Sequence, residues 1–88
     1  MITLSDGTTL EGYSRVNVVA LQDLQAPHPS MINRNVRLKA GGRAQVRGWA
    51  GTIQLVKPAD GASGFNFYVI KNDAKEGVDF ELKRRQKS

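Results

Sequence analysis

Apolar side chains recur at every second position along several stretches of this chain, and this spacing constrains the fold more than any other feature. In Val36–Ala40, Phe65–Val69 and Val78–Leu82, apolar residues alternate with more polar or charged ones. A period of two is typical of β-strands that bury one face and expose the other. No stretch shows the sustained apolar stripe of an amphipathic helix. The pattern therefore predicts strands throughout.

Turn residues separate these stretches at short intervals. Asp6–Gly7 predicts a tight hairpin between Ile2–Leu4 and Thr8–Tyr13. Gly41–Gly42 and the Gly- and Asp-containing segment 58–64 mark further turns. Because short strands and tight turns fill the chain, we expect an all-β fold: a small antiparallel, strongly bent sheet or barrel of about five to eight short strands.

The length of the chain favours a single small domain. A chain of 88 residues can form one core but not two, so we expect residues 1–82 to be one β domain. Within it, a long connection over residues 22–33 contains Pro27 and Pro29, which bias the backbone toward extended geometry. Residues 83–88 are a basic tail, for which we expect fraying.

The sequence also favours a cytoplasmic protein that does not enter a membrane. The N-terminal residues have no apolar stretch of signal-peptide length, and no run approaches the ~20 apolar residues that span a bilayer. The chain has no cysteine, which excludes disulfides and thiolate metal sites and fits a reducing compartment.

Groups suited to catalysis or metal binding are sparse. His28 is the single histidine and lies between two prolines, with no nucleophile pattern around it. Asp79 and Glu81 share one face of the predicted last strand, where we expect exposed ion pairs with basic neighbours, each worth about 0–1 kcal/mol. The segment Gly61–Gly64 lacks the lysine of a phosphate-binding loop. We therefore expect no enzymatic activity, no cofactor and no bound metal.

Positive charge is concentrated in the second part of the chain, and the formal net charge of the whole chain is +5. Between residues 34 and 57 there are six basic side chains and no acid: Arg34, Arg37, Lys39, Arg43, Arg47 and Lys57. A one-sided field of this kind attracts polyanions and offers several contacts to phosphate groups.

The alternation predicts that many of these cations share one sheet face. If Val36, Leu38 and Val46 point into the core, the intervening basic residues and Trp49 project together on the other side. Cations would then contact phosphates while the indole stacks on a base. The candidate nucleic-acid-binding residues are Arg37, Lys39, Arg43, Arg47, Trp49, Tyr68, Lys83, Arg84 and Arg85. Tyr68 enters this set because it alternates outward from Phe67.

The stretch Val36–Gly41 followed by Gly48–Ile53 resembles the KOW motif of small barrels in ribosomal proteins and transcription elongation factors. The positions that match in type and order are Val36, Leu38, Gly41, Gly48, Gly51 and Ile53. The interval between Gly41 and Gly48 is longer than in that motif. The resemblance implies a small β-barrel that contacts RNA, DNA or a nucleic-acid-handling protein.

The leading hypothesis is a non-enzymatic nucleic-acid-binding module that contacts the DNA or RNA backbone. Its sequence specificity should be low, because sheet faces with aromatics and cations favour backbone and stacking contacts over reading of base edges. The alternative is a protein-interaction or assembly module. Such a module would dock on or inhibit a larger, acidic or nucleic-acid-handling protein, or form part of a homo-oligomer, since Arg and Trp also anchor protein interfaces.

Overall fold

The computed structural model describes residues 2–11, 15–28, 30–59 and 67–83, which form strands, turns and loops without a helix. The strands are β1 (Ile2–Thr3), β2 (Thr9–Leu10), β3 (Arg15–Ala20), β4 (Leu24–Pro27), β5 (Asn35–Leu38), β6 (Arg43–Trp49), β7 (Thr52–Pro58), β8 (Phe67–Lys71) and β9 (Phe80–Leu82). The prediction of an all-β fold is confirmed. Because no described segment is helical, none of them is a helix that could cross a bilayer.

The strands form three antiparallel sheets. A central five-stranded sheet has the order β8-β7-β6-β3-β9, and two hairpins, β1–β2 and β4–β5, form separate two-stranded sheets. The edge strands β8 and β9 do not pair with each other within the described residues. A register shift between Leu55 and Val56 marks a bulge in the pairing of β7 with β8, and bulges bend a sheet. The predicted strongly bent sheet is therefore open, not a closed barrel, in the described part of the chain.

The core lies between one face of the central sheet and the two hairpins. The sheet contributes Val18, Val46, Leu55 and Phe80, each at most 1% exposed. The hairpins add Leu4, Leu10, Val36 and Leu38. Burying an aliphatic or aromatic side chain of this size contributes roughly 1.5–3 kcal/mol, so the hairpins supply a large share of the stabilising burial.

Gly48 allows the β1–β2 hairpin to approach the sheet closely. A Cβ atom at position 48 would lie 3.1 Å from the Cβ of Leu10 and 3.1 Å from its carbonyl oxygen. Contacts that short are repulsive, so any larger residue here would push β2 away from β6. The glycine is therefore explained by packing.

Two hairpin turns follow directly from local sequence. The predicted Asp6–Gly7 turn is present: Ile2 pairs with Leu10, and the Thr8 N–H donates to Asp6 Oδ1 at 2.8 Å. Between β6 and β7, Ala50 and Gly51 have φ values of 50° and 83°. Positive φ at both central residues is the signature of a two-residue type I′ turn.

The two strands joined by the turn at Gly41–Gly42, β5 and β6, do not pair with each other. The strand before this turn, β5, pairs with β4, whereas β6 pairs with β3 and β7. Part of the predicted long connection, Leu24–Pro27, is thus the strand β4. Pro27 ends it, in agreement with the tolerance of edge strands for proline.

Candidate nucleic-acid interface

The side of the central sheet that faces away from the core carries several basic side chains. Along β6, the buried positions 44, 46 and 48 alternate with Arg43, Gln45, Arg47 and Trp49. We call this side the basic sheet face and define it by Arg15, Arg43, Arg47, Trp49 and Lys83. The prediction that Arg43, Arg47 and Trp49 project from one surface agrees with this arrangement.

Strand β3 adds a cation that the sequence pattern did not indicate. The register places Arg15 directly opposite Arg47 and Asn17 opposite Gln45, and directly paired residues project from the same face. Arg15 lies in the part of the sequence where acids outnumber bases. Only the pairing of β3 with β6, which are distant in sequence, brings it to this surface.

Lys83 joins the same face from the edge strand β9. Leu82 pairs with Val18, a core residue, so the next residue along the chain alternates to the opposite side. Lys83, Arg15 and Asn17 line one cavity of about 330 Å³. Two acids lie nearby: Asp6 also lines this cavity, and Glu81 pairs with Val19 and projects from the same face as Lys83. Arg84 and Arg85, the other predicted tail residues, lie outside the described residues.

Trp49 is exposed and has a positioned guanidinium beside it. The indole is 54% exposed, and the Arg47 guanidinium carbon lies 5.3 Å from its ring centroid. Arg47 Nε donates to Gln54 Oε1 at 2.7 Å, and Gln54 Nε2 donates to Asn72 Oδ1 at 2.7 Å. These hydrogen bonds hold Arg47 in place, while the exposed indole remains free to stack on a planar group.

A second arginine on this face also contacts an aromatic ring. The Arg15 guanidinium carbon lies 4.1 Å from the Phe67 ring centroid, although β6 and β7 separate β3 from β8 in the sheet. The two side chains therefore meet above the intervening strands. Arg15 Nε is buried there without a hydrogen-bond partner in the structure, so part of this guanidinium is unsatisfied.

Arg37 and Lys39 do not lie on the basic sheet face, and this corrects the prediction of one shared surface. Val36 and Leu38 of β5 point into the core, so Arg37 and Lys39, both exposed, point away from it on the hairpin side. The core separates them from Arg43 and Arg47. The prediction failed because alternation assigns a face to a strand but does not assign the strand to a sheet.

Tyr68 also faces the side opposite to the one predicted. It pairs with Lys57, packs against the core, and its ring centroid lies 5.0 Å from that of His28. Phe67 takes the place on the basic sheet face, and Val69 is exposed. The predicted pattern placed Phe67 and Val69 inward. Alternation is regular from Phe67 to Ile70 but has the opposite phase to the predicted one, since Tyr68 and Ile70 face the core; the register shift lies beyond Val69.

Few of the cations have an acidic partner. Within the described ranges the single ion pair joins Lys71 Nζ to Asp79 Oδ1 at 2.8 Å. Arg43 and Lys83 are exposed and therefore keep their charge available to a ligand. The chemistry that this face offers is anion binding next to an aromatic surface.

Asp79 is buried, which overturns the expectation of an exposed ion pair. It is 0% exposed and accepts hydrogen bonds from Lys71 Nζ at 2.8 Å, Gln22 Nε2 at 2.6 Å and the Lys75 N–H at 2.9 Å. Burial alone would raise the pKa of Asp79, but the hydrogen bonds from Lys71, Lys75 and Gln22 and the charge of Lys71 lower it below its ordinary value. Its role is structural.

The same segment explains why alternation failed near Asp79. Residues 77–79 form a turn and β9 begins at Phe80, so Val78, predicted to be buried, is 58% exposed. Glu81, in the strand itself, is exposed as predicted. A period of two holds only where the backbone is extended.

Comparisons with known proteins identify no relative. No protein-family model, curated protein or solved structure matches the chain. Among the described residues, no three acidic or histidine side chains come together in a way that could hold a metal ion. Any functional conclusion therefore depends on the chemistry of the surfaces described above.

Proposed function

We propose that this protein is a non-enzymatic nucleic-acid-binding module of low sequence specificity, and that the basic sheet face is its binding surface. The observation that carries the proposal is the pairing of an exposed indole, Trp49, with a guanidinium held in place by Gln54. An aromatic platform flanked by cations suits a single-stranded nucleic acid, because every base can stack and every nucleotide carries a phosphate.

The solvent exposure of each side chain on the basic sheet face indicates which part of a nucleic acid it contacts. Arg43 and Lys83 are exposed and have no carboxylate partner in the described residues, so they are assigned to phosphate contacts. Arg47 and Trp49 are assigned to stacking. The resemblance of Val36–Ile53 to the KOW motif adds support, since its Gly-x-x-Gly step forms the β6–β7 hairpin that carries both residues. The absence of cysteine supports action in the reducing cytoplasm.

The single tryptophan of the chain makes a direct test possible. A single-stranded oligothymidylate or oligouridylate of about 12 nucleotides should quench Trp49 fluorescence on binding, because a stacked base changes the environment of the indole. Replacing Trp49 by Leu should weaken binding by about tenfold or more, since base–aromatic stacking is worth about 1–3 kcal/mol. Anisotropy of a labelled oligonucleotide measures this variant.

A pair of double variants separates this surface from net charge. Arg43→Glu/Lys83→Glu and Arg37→Glu/Lys39→Glu make the same change in charge at exposed positions on opposite sides of the core. The first should reduce affinity by at least tenfold, and the second should have a much smaller effect and leave the quenching of Trp49 intact. Equal losses in both variants, or binding without quenching, would contradict the assignment of the basic sheet face.

A second candidate function, protein interaction or assembly, is favoured by the loop between β4 and β5. Met31 is 50% exposed and Ile32 is 91% exposed, and such side chains lose unfavourable contact with water when a partner covers them. This function predicts self-association or capture of an acidic protein. Light scattering over a concentration series tests self-association. A Met31→Ser/Ile32→Ser variant should abolish the association, whereas Arg43→Glu/Lys83→Glu should not.

A further inference from the structure

A second electropositive surface lies on the opposite side of the central sheet from the basic sheet face. It is a cleft of about 360 Å³ between the β4–β5 loop and the strands β7 and β8. We call it the loop cleft and define it by His28, Arg34, Arg37, Lys57 and Tyr68. Lys57 and Tyr68 pair with each other and occupy positions that alternate with Val56 and Phe67, which explains why the cleft opens on the hairpin side.

The charge of the loop cleft is entirely positive. Three cations line it, Arg34, Arg37 and Lys57, and no carboxylate does so. None of the three belongs to the ion pair found in the described ranges. Lys57 Nζ donates to the Arg37 carbonyl oxygen at 3.0 Å, which holds the ammonium close to β5. Three like charges around one cavity repel each other, and a bound anion would relieve this repulsion.

The loop that supplies two sides of the cleft is held by local hydrogen bonds. His28 Nδ1 accepts from the N–H groups of Ser30 and Met31, each at 3.0 Å. The neutral ring therefore carries its proton on Nε2. The His28 N–H donates to the Arg34 carbonyl oxygen at 2.9 Å, which closes the loop and brings Arg34 beside His28. These hydrogen bonds fix the shape of the loop beside the cleft.

The volume of the loop cleft and its aromatic side chains indicate a ligand larger than an inorganic ion. The cleft has a volume of about 360 Å³, in the lower part of the ~300–1,000 Å³ range of small-molecule sites. This volume exceeds what a phosphate group alone fills. The rings of His28 and Tyr68 lie 5.0 Å apart at an angle of 53° and provide an aromatic wall beside the cations. The cleft can therefore hold a phosphate and an attached ring.

We infer that the loop cleft binds a phosphate monoester carried on a ribose, of the size of a mononucleotide. The guanidinium groups of Arg34 and Arg37 and the ammonium group of Lys57 contact the phosphate oxygens, because guanidinium and ammonium groups form charge-assisted hydrogen bonds to them. The ring wall of His28 and Tyr68 contacts the sugar or base. This site uses none of the residues of the basic sheet face.

The test is a titration of ¹⁵N-labelled full-length protein with adenosine 5′-monophosphate, followed by amide chemical shifts. Shifts should concentrate at His28, Arg34, Arg37 and Tyr68. Ribose 5-phosphate should bind at the same place, and its affinity relative to the nucleotide distinguishes a sugar phosphate from a nucleotide as the preferred ligand. Adenosine should bind at least tenfold more weakly, since it lacks the phosphate. Equal affinity for adenosine, or shifts confined to other residues, overturns the inference.

Variants at exposed positions avoid the problem of lost folding. Arg34→Ala/Arg37→Ala should weaken binding of adenosine 5′-monophosphate by at least tenfold, because it removes two charge-assisted contacts. Lys39→Ala removes an exposed cation on the same hairpin that does not line the cleft; it is the control and should leave the affinity unchanged. Loss of binding in the control alone contradicts the site. Because the readout does not involve Trp49, the loop cleft and the proposed oligonucleotide surface succeed or fail separately.

Discussion

Two charged regions of the central sheet differ in whether their charges are neutralised by neighbouring side chains. In the Asp79 cluster, formed by Asp79, Lys71, Gln22 and Lys75, a buried carboxylate receives three hydrogen bonds from within the chain. On the basic sheet face, Arg15 and Arg47 lie directly opposite each other, although like charges in that position destabilise a sheet pair. The first arrangement stabilises the fold, whereas the second leaves two like charges without an acidic partner among the described residues.

The placement of the charges, and not their number, decides which of them are neutralised within the fold. Asp79 and Glu81 are two residues apart in sequence, yet one is fully buried and the other exposed. Arg37 and Arg43 are six residues apart, and the core lies between them.

The largest effect is expected when the Asp79 cluster is broken. Asp79→Ala should lower the free energy of unfolding by about 3 kcal/mol, because it leaves Lys71 and two other donors without their acceptor. Glu81→Ala is the matched control and should change stability by less than about 0.5 kcal/mol, as is usual for exposed positions. Urea unfolding monitored by Trp49 fluorescence measures both. Similar losses in both variants would remove the contrast between the two acids.

The pH dependence of the free energy of unfolding reports the contribution of the charge on Asp79 to the same cluster. Because the pKa of Asp79 is lowered in the folded protein, the unfolded chain takes up the proton first as pH falls. The stabilisation is therefore complete above the ordinary value of 3.8, and it is lost as pH falls from there through the lower folded pKa. Asp79→Asn removes this titration. The stability difference between wild type and Asp79→Asn should shrink on going from neutral pH to below pH 3.8, as measured by urea unfolding.

Salt dependence tests how many cations of the basic sheet face contact one nucleic acid. If three to four phosphates are neutralised, the log–log slope for a single strand should be about −2 to −3, at about 0.7 per phosphate. Raising the salt from about 50 to 200 mM should then weaken binding by about twentyfold to fiftyfold. A slope steeper than about −4 would show that the hairpin cations Arg37 and Lys39 bind the same strand. Titrations of Trp49 quenching at several salt concentrations provide the slope.

The smallest effect concerns the turn that presents Trp49. Ala50 has a φ of 50°, a conformation that costs a non-glycine residue roughly 1–2 kcal/mol. Ala50→Gly should therefore raise the free energy of unfolding by about 0.5–1 kcal/mol. Ala40→Gly, at an exposed position without positive φ, should lower it slightly. Denaturant midpoints compare the two, and stabilisation by both would show that φ at position 50 is not the cause.

Local sequence was sufficient for a large part of the fold. The period of two in Arg43–Trp49 identified β6 and assigned its faces correctly, and the Asp6–Gly7 dipeptide located the first hairpin. Both succeed because pleating and turn preference act over a few residues. Only part of the candidate site could be predicted from the sequence. Arg43, Arg47 and Trp49 lie on one strand, so alternation alone predicted that they share a face.

Local sequence did not predict the positions of three residues, Arg15, Phe67 and Asp79. Arg15 reaches the basic sheet face because β3 pairs with β6. Phe67 does so because Tyr68 and Ile70 are the residues of β8 that face the core, and Asp79 is buried because the turn before β9 folds it against Lys71. None of these events leaves a short-range pattern.

Periodicity and composition were enough to establish that this chain forms short antiparallel strands and carries an excess of cations after residue 33. Which of these cations share a surface depends on how the strands pair, and this places Arg43 with Arg15 and Lys83, and Arg37 with Arg34 and Lys57. Side-chain direction follows the local backbone, whereas strand pairing follows from the burial of apolar surface contributed by the whole chain.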